Sequence, residues 1–178
     1  MKQEMRRILL LLASAAVLTL PAAASAHTQS HHRAPGFLVV RGAFSDGGVA
    51  GRPIATIAVT GFVIGRIAQE GAVEIYHFSS GTGSLAQVSG VDVSRQTVFY
   101  HGRPGAKFSG SDFRFRAVGG VWRVVVYGAG VSLYAGGQGG ARLHGSVSYP
   151  NIDGVYSFNG GRFASLPAGV VKGRLGQR

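Results

Sequence analysis

FRFRAVGGVWRVVVYGAGVSLYAGGQGGARLHGSVSY, residues Phe113–Tyr149, is the stretch that decides the fold class. Phe113, Phe115 and Ala117 alternate with Arg114 and Arg116, the period-two signature of a strand with one dry and one wet face. The alternation returns as Ala141, Leu143, Gly145, Val147 and Tyr149 against Arg142, His144, Ser146 and Ser148. Between them, Val121–Tyr127 is apolar on both faces except at Arg123, which suits a central strand. Val118-Gly119-Gly120, Gly128-Ala129-Gly130 and Gly136–Gly140 read as joints between strands, since glycine accepts positive φ at little cost.

Working outward, short β-branched and aromatic runs between glycine clusters continue to the start of the domain. The expected strands are 37–44, 54–68, 72–78, 85–93, 97–102, 106–117, 121–127, 131–135 and 141–149. No window carries a helical period, and glycine is too dense for stable helix interiors. The expectation is an all-β domain, a single antiparallel β-sandwich or barrel-like fold with Gly-rich turns. A short β-solenoid is the alternative; the lack of a strict repeat counts against it.

The run FSGSDFRFRAVGGVWRVVVYGAGVSLYAGGQGGARLHGSVSY, Phe108–Tyr149, resembles uncharacterised secreted Gly-rich β-proteins of high-GC Gram-positive bacteria. That resemblance implies secretion and an all-β fold, and no chemistry.

At the N-terminus, Lys2, Arg6 and Arg7 precede an apolar run from Ile8 to Leu20, broken by Pro21. Ala24-Ser25-Ala26 then supplies the small-x-small pattern of a cleavage site, so the first 26 residues read as a secretory signal peptide. The apolar run is too short for a membrane span. Four segments are expected: the signal peptide (1–26), a flexible His-containing leader (27–36), a Gly-rich β-domain (37–161) and a mobile basic tail (162–178). The mature chain is expected outside the cytoplasm, secreted or associated with the cell wall, without a membrane span.

With no cysteine, the fold has no disulfides and relies on its core. Cleavage after Ala26 leaves 15 Lys and Arg against 6 acids. Such a basic chain meets anionic surfaces; an anionic or carbohydrate cell-wall polymer is the expected partner, ahead of nucleic acid.

Catalytic motifs are missing. No serine sits in G-x-S-x-G, there is no Walker A loop, and the Gly-x-Gly pairs lack a third glycine. Of the mature acids, Asp46-Gly47 and Asp153-Gly154 read as turns, Asp112 as a strand-entry residue, and Glu74 as a wet-face residue. The reading is therefore a non-catalytic binding or structural module at the cell envelope, with no cofactor.

Its binding residues are expected on the outward face of the last strands. Arg114, Arg116, Arg123, Tyr127, Tyr134, Arg142 and His144 would share one surface there. Arginine offers forked donors to phosphate, sulfate or carboxylate, and tyrosine a stacking face for sugars.

Two other readings stand beside it. Cleavage would expose His27, whose amine and imidazole can hold copper. His77, His101 or His144 would then complete a histidine brace, in an enzyme or a carrier, while His27, His31 and His32 could hold Zn²⁺ or Ni²⁺ loosely. The last reading is a barrel that encloses a small apolar ligand.

Overall fold

The computed structural model describes residues 35–79, 83–148 and 154–176. The expected signal peptide, nearly all of the expected leader with His27, His31 and His32, and Asp153 lie outside the described residues. Eight strands follow in order: β1 (Gly36–Phe44), β2 (Ala55–His77), β3 (Leu85–Ser89), β4 (Ser94–Tyr100), β5 (Arg103–His144), β6 (Val155–Phe158), β7 (Ala164–Ser165) and β8 (Val170–Leu175). They form one antiparallel sheet that is not closed into a barrel. The all-β antiparallel expectation therefore holds, without barrel closure, and the parallel stacking of a solenoid is absent among the described residues. No helix among the described residues is long and apolar enough to cross a membrane.

Two long strands build the molecule. β2 spans 23 residues and β5 spans 42, and β5 occupies both edges of β2. Ala55 pairs with Val126 on one side and Leu143 on the other; Ile67 pairs with Phe113 and Val131. Val126 in turn lies between Ala55 and Val73. The β2–β5 ribbon thus winds around itself, and its own next turn supplies the neighbouring strand. The β5 partners of one β2 residue are 17 or 18 positions apart, about 60 Å of extended chain.

The inner face of this coil is the core. It takes Ile57, Val63, Ile67, Val73 and Ile75 from β2, and Phe113, Phe115, Val124, Val131 and Leu143 from β5. Phe113, Phe115 and Ala117 face inward and Arg114 and Arg116 outward, as the alternation requires. Val121–Tyr127 runs between two passes of β2, which explains its two apolar faces.

The glycine clusters correct the sequence reading. They do not end strands; β5 runs through all three. At Gly119 the register slips, since Phe62 pairs with Val118 but Gly61 with Gly120. Gly119 is the extra residue of a bulge, at φ 68°, a conformation that a side chain would strain. The inward set accordingly changes from odd numbers (Phe113, Phe115) to even ones (Trp122, Val124, Val126). The intervals at 54–68 and 72–78 likewise belong to a single strand.

Two further corrections concern the end of the chain. Beyond His144 the alternation fails: Ser146, expected outward, is buried, and Val147, expected inward, is exposed. β5 stops at His144, and the next residues are gathered by Asp46, whose carboxylate accepts bonds from Ser146 Oγ, Val147 N–H (2.6 Å) and Ser148 N–H (3.3 Å). The expected mobile tail contains β7 and β8. β8 pairs with β5 from Gly139↔Leu175 to His144↔Val170, and Leu166 and Leu175 enter the core. Burial of those two side chains outweighs the cost of ordering a segment whose charges point outward.

Candidate functional site

On the outer face of the coil, small side chains lie where β2 passes between two stretches of β5. Two cross-strand rows define this region. One reads Glu74, Val125, Thr56, Arg142 and Lys172; the next reads Tyr76, Arg123, Ala58, Gly140 and Arg174. Thr56, Ala58, Gly140 and Gly173 form a low floor, because none projects far from the sheet. Arg123, Arg142, His144, Lys172 and Tyr100 stand around it and enclose a groove of about 580 Å³. Among the described residues no carboxylate lines this groove.

Among the described residues Arg123 pairs with no acid. Its guanidinium carbon lies 4.0 Å from the Tyr100 ring centroid, and its buried Nε has no hydrogen-bond partner. Tyr100 also contacts Tyr76, Phe78 and His101, with ring centroids 5.6, 6.3 and 4.3 Å away. The groove continues past Tyr100 into an apolar stretch of about 370 Å³ that includes Phe78 and Val121. A cationic half and an aromatic half therefore adjoin at the Arg123–Tyr100 pair. Arginine over an aromatic face keeps its outward N–H groups free for an anion.

Beside the groove, Glu74 accepts a hydrogen bond from Tyr76 Oη at 2.9 Å and faces Lys107 Nζ at 3.9 Å. Burial, and then the Glu74 carboxylate, push both the Tyr76 and the Tyr127 phenols up from their ordinary range. Lys107 Nζ lies 5.4 Å from the Tyr127 ring centroid. Both tyrosines thus stay neutral, and Glu74 is engaged away from the groove wall.

The expected surface residues divide into two groups. Arg123, Arg142 and His144 come together in the groove. Arg114, Arg116 and Tyr134 do not join them, because the coil carries β5 away. Arg116, Ile64 and Tyr134 share one row; Ile64 is six residues along β2 from Ala58, about 20 Å of strand. Arg114 sits opposite Arg66, which is paired instead with Asp112 at 2.7 Å. Tyr134 stacks on Phe37 with centroids 5.6 Å apart. Tyr127 lies on the groove's side of the coil but outside its wall.

Lys172 and Tyr100 were not singled out in the sequence. The signal for Lys172 was present, since Val171, Gly173 and Leu175 alternate with Val170, Lys172 and Arg174. For Tyr100 nothing local marks a role; its importance comes from the pass of β5 that brings Arg123 over it.

The histidines separate. His101 is exposed in the β4–β5 turn at φ 48°, His144 is in the groove wall, and His77 faces inward against Trp122, 4.5 Å between centroids. Among the described residues no three His, Asp or Glu side chains gather as a metal site, and the first ligand of a copper brace, His27, lies outside them. The chain matches no protein-family model, no curated protein and no solved structure.

Proposed function

We propose that this chain is a non-catalytic binding module that works outside the cytoplasm and holds an anionic cell-wall polymer in the Arg123–Arg142–Lys172 groove. The observation that carries the reading is the convergence of those three cations and His144 on a small-residue floor, with no carboxylate of the described residues in the wall. A phosphate, sulfate or carboxylate on the polymer would accept from the outward N–H groups of the Arg123 guanidinium and bridge the cations. The aromatic half at Tyr100 and Phe78 would take the flat face of a neighbouring sugar. The basic, apolar and small-residue order of the first 26 residues supports a place outside the cytoplasm.

The test is retention of the mature chain on immobilised polyglycerol phosphate and on uncharged dextran. The expected result is binding to the first only, released as salt approaches 1 M, where the Debye length falls to about 3 Å. Equal retention on both, or retention insensitive to salt, would remove the electrostatic basis of the reading.

A further inference from the structure

A second site lies on the opposite face of the sheet. Because the sheet is not closed, β3 and β4 leave the end of the coil open, and each pairs only with β5. A cavity of about 450 Å³ opens there, within the range of small-molecule sites. Its floor is Ile75 and Trp122 of the core, with Phe108 packed against them and Ala106 alongside. Its rim is polar, with Ser84, Arg95 and Thr97.

The polar groups of this cavity are unevenly satisfied. His77 Nε2 is engaged by Ser79 Oγ at 2.6 Å and Ser84 Oγ at 2.8 Å, and Ser84 Oγ donates to the Gly119 carbonyl at 2.6 Å. Trp122 is not satisfied: its Nε1–H is buried and has no partner among the described residues. Indole N–H is a donor only, and a buried donor left unpaired costs about 1–3 kcal/mol. A small rotation of the indole that brings this edge to the cavity would let an acceptor atom from outside the chain remove that cost. At the rim, Arg95 lies 5.8 Å from the Phe108 ring centroid, and no carboxylate of the described residues lines the cavity.

We propose that this open end of the coil binds a small apolar carboxylic acid carrying a second, neutral oxygen. The apolar body packs on Ile75, Ala106 and Phe108, the neutral oxygen accepts from Trp122 Nε1–H, and the carboxylate pairs with Arg95 at the rim. This site does not depend on the outer groove.

Trp122 is the only tryptophan in the chain, so its emission reports on the cavity directly. The probes are 3-benzoylpropionate, which has both a ketone and a carboxylate, and 4-phenylbutyrate, which lacks the ketone. Titration of the mature protein should change Trp122 emission saturably, with the keto acid binding about five- to tenfold tighter, the value of one neutral hydrogen bond. Arg95→Ala should weaken both acids severalfold. Ala86→Phe and, separately, Thr97→Phe should abolish binding by filling the cavity, while thermal melting confirms that each variant folds. Both positions are exposed on edge strands, where phenylalanine is well tolerated. Lack of a saturable change with either acid overturns the proposal, as does parental affinity in both filled variants. Equal affinity for the two acids would overturn the assignment of the Trp122 donor.

Discussion

The Arg123 guanidinium carbon sits 4.0 Å from the centre of the Tyr100 ring, and this contact joins the cationic and aromatic halves of the outer groove. The two residues lie 23 positions apart in the sequence and three strands apart across the sheet. Tyr100 ends edge strand β4, whereas Arg123 lies in the middle of the sheet, between Ala58 and Tyr76. The coil of β5 brings them together. Replacing Tyr100 by leucine keeps apolar bulk but removes the ring face, at a cost of about 0.5–2 kcal/mol for the lost cation–π contact. The expected outcome is a modest fall in melting temperature and a severalfold loss of polyanion affinity, measured by thermal melting and by retention on polyglycerol phosphate. An unchanged affinity would separate Tyr100 from the groove's function.

Asp46 sets an acid limit on stability. The Ser146 hydrogen bond, then the Val147 N–H, lower its carboxyl from the ordinary 3.8 to about 2. The folded state therefore favours the ionised form more than the unfolded state does. That contribution is complete above pH 3.8 and is lost as pH falls toward about 2. Asp46→Asn should be less stable than the parent at pH 6, with the gap closing as pH drops through this window. Denaturant midpoints at several pH values check it; a constant gap would mean that Asp46 acts only through shape.

Gly137 marks a close approach between β5 and β2. Its φ is 136°, and a Cβ there would collide with the Thr60 carbonyl oxygen. Gly169 has open space around the same position and an unstrained φ. Gly137→Ala should cost about 2 kcal/mol or more, from steric strain at a special backbone conformation, whereas Gly169→Ala should be neutral or slightly stabilising. Chemical denaturation of the two variants side by side is the check.

β8 carries structural weight despite its charges. Leu175 is 0% exposed, and Leu→Ala at such a site costs about 2–5 kcal/mol. Leu175→Ala should lower the denaturation midpoint accordingly, and ending the chain at Ala168 should lower it further by uncovering the Gly139–His144 edge of β5. A truncated chain as stable as the parent would show that β8 is dispensable.

Some of this was legible in residue order and some was not, for physical reasons. Phe113, Phe115 and Ala117 could be read as inward because alternation is a local consequence of the pleat. The central place of Val121–Tyr127 followed from its two apolar faces. Gly119 and Gly137 were read as turn residues because glycine serves a hairpin, a bulge and a close crossing equally well. Only the partner strand, distant in sequence, decides which one it is. The same coiling explains the site. Arg123, Arg142 and His144 were expected together and are together, but Arg114, Arg116 and Tyr134 were assigned to that surface from parity alone. Parity says which face a side chain occupies; it does not say how far along a wound sheet it lies. Lys172 was lost to a segment read by its charge rather than by its alternation.

The central claim is that binding resides in one shaped groove and not in diffuse positive charge. The direct measurement compares two double variants of equal net charge, Arg142→Ser with Lys172→Ser and Arg114→Ser with Arg116→Ser, on polyglycerol phosphate at one fixed salt concentration. All four side chains are exposed, so thermal stability should stay close to the parent's in both. The groove pair should lose about tenfold in affinity and the distant pair less than twofold, since exposed charges contribute about 0.2–1 kcal/mol each only where they meet an opposite charge. Equal losses in the two variants would contradict the account and leave a basic surface without a site.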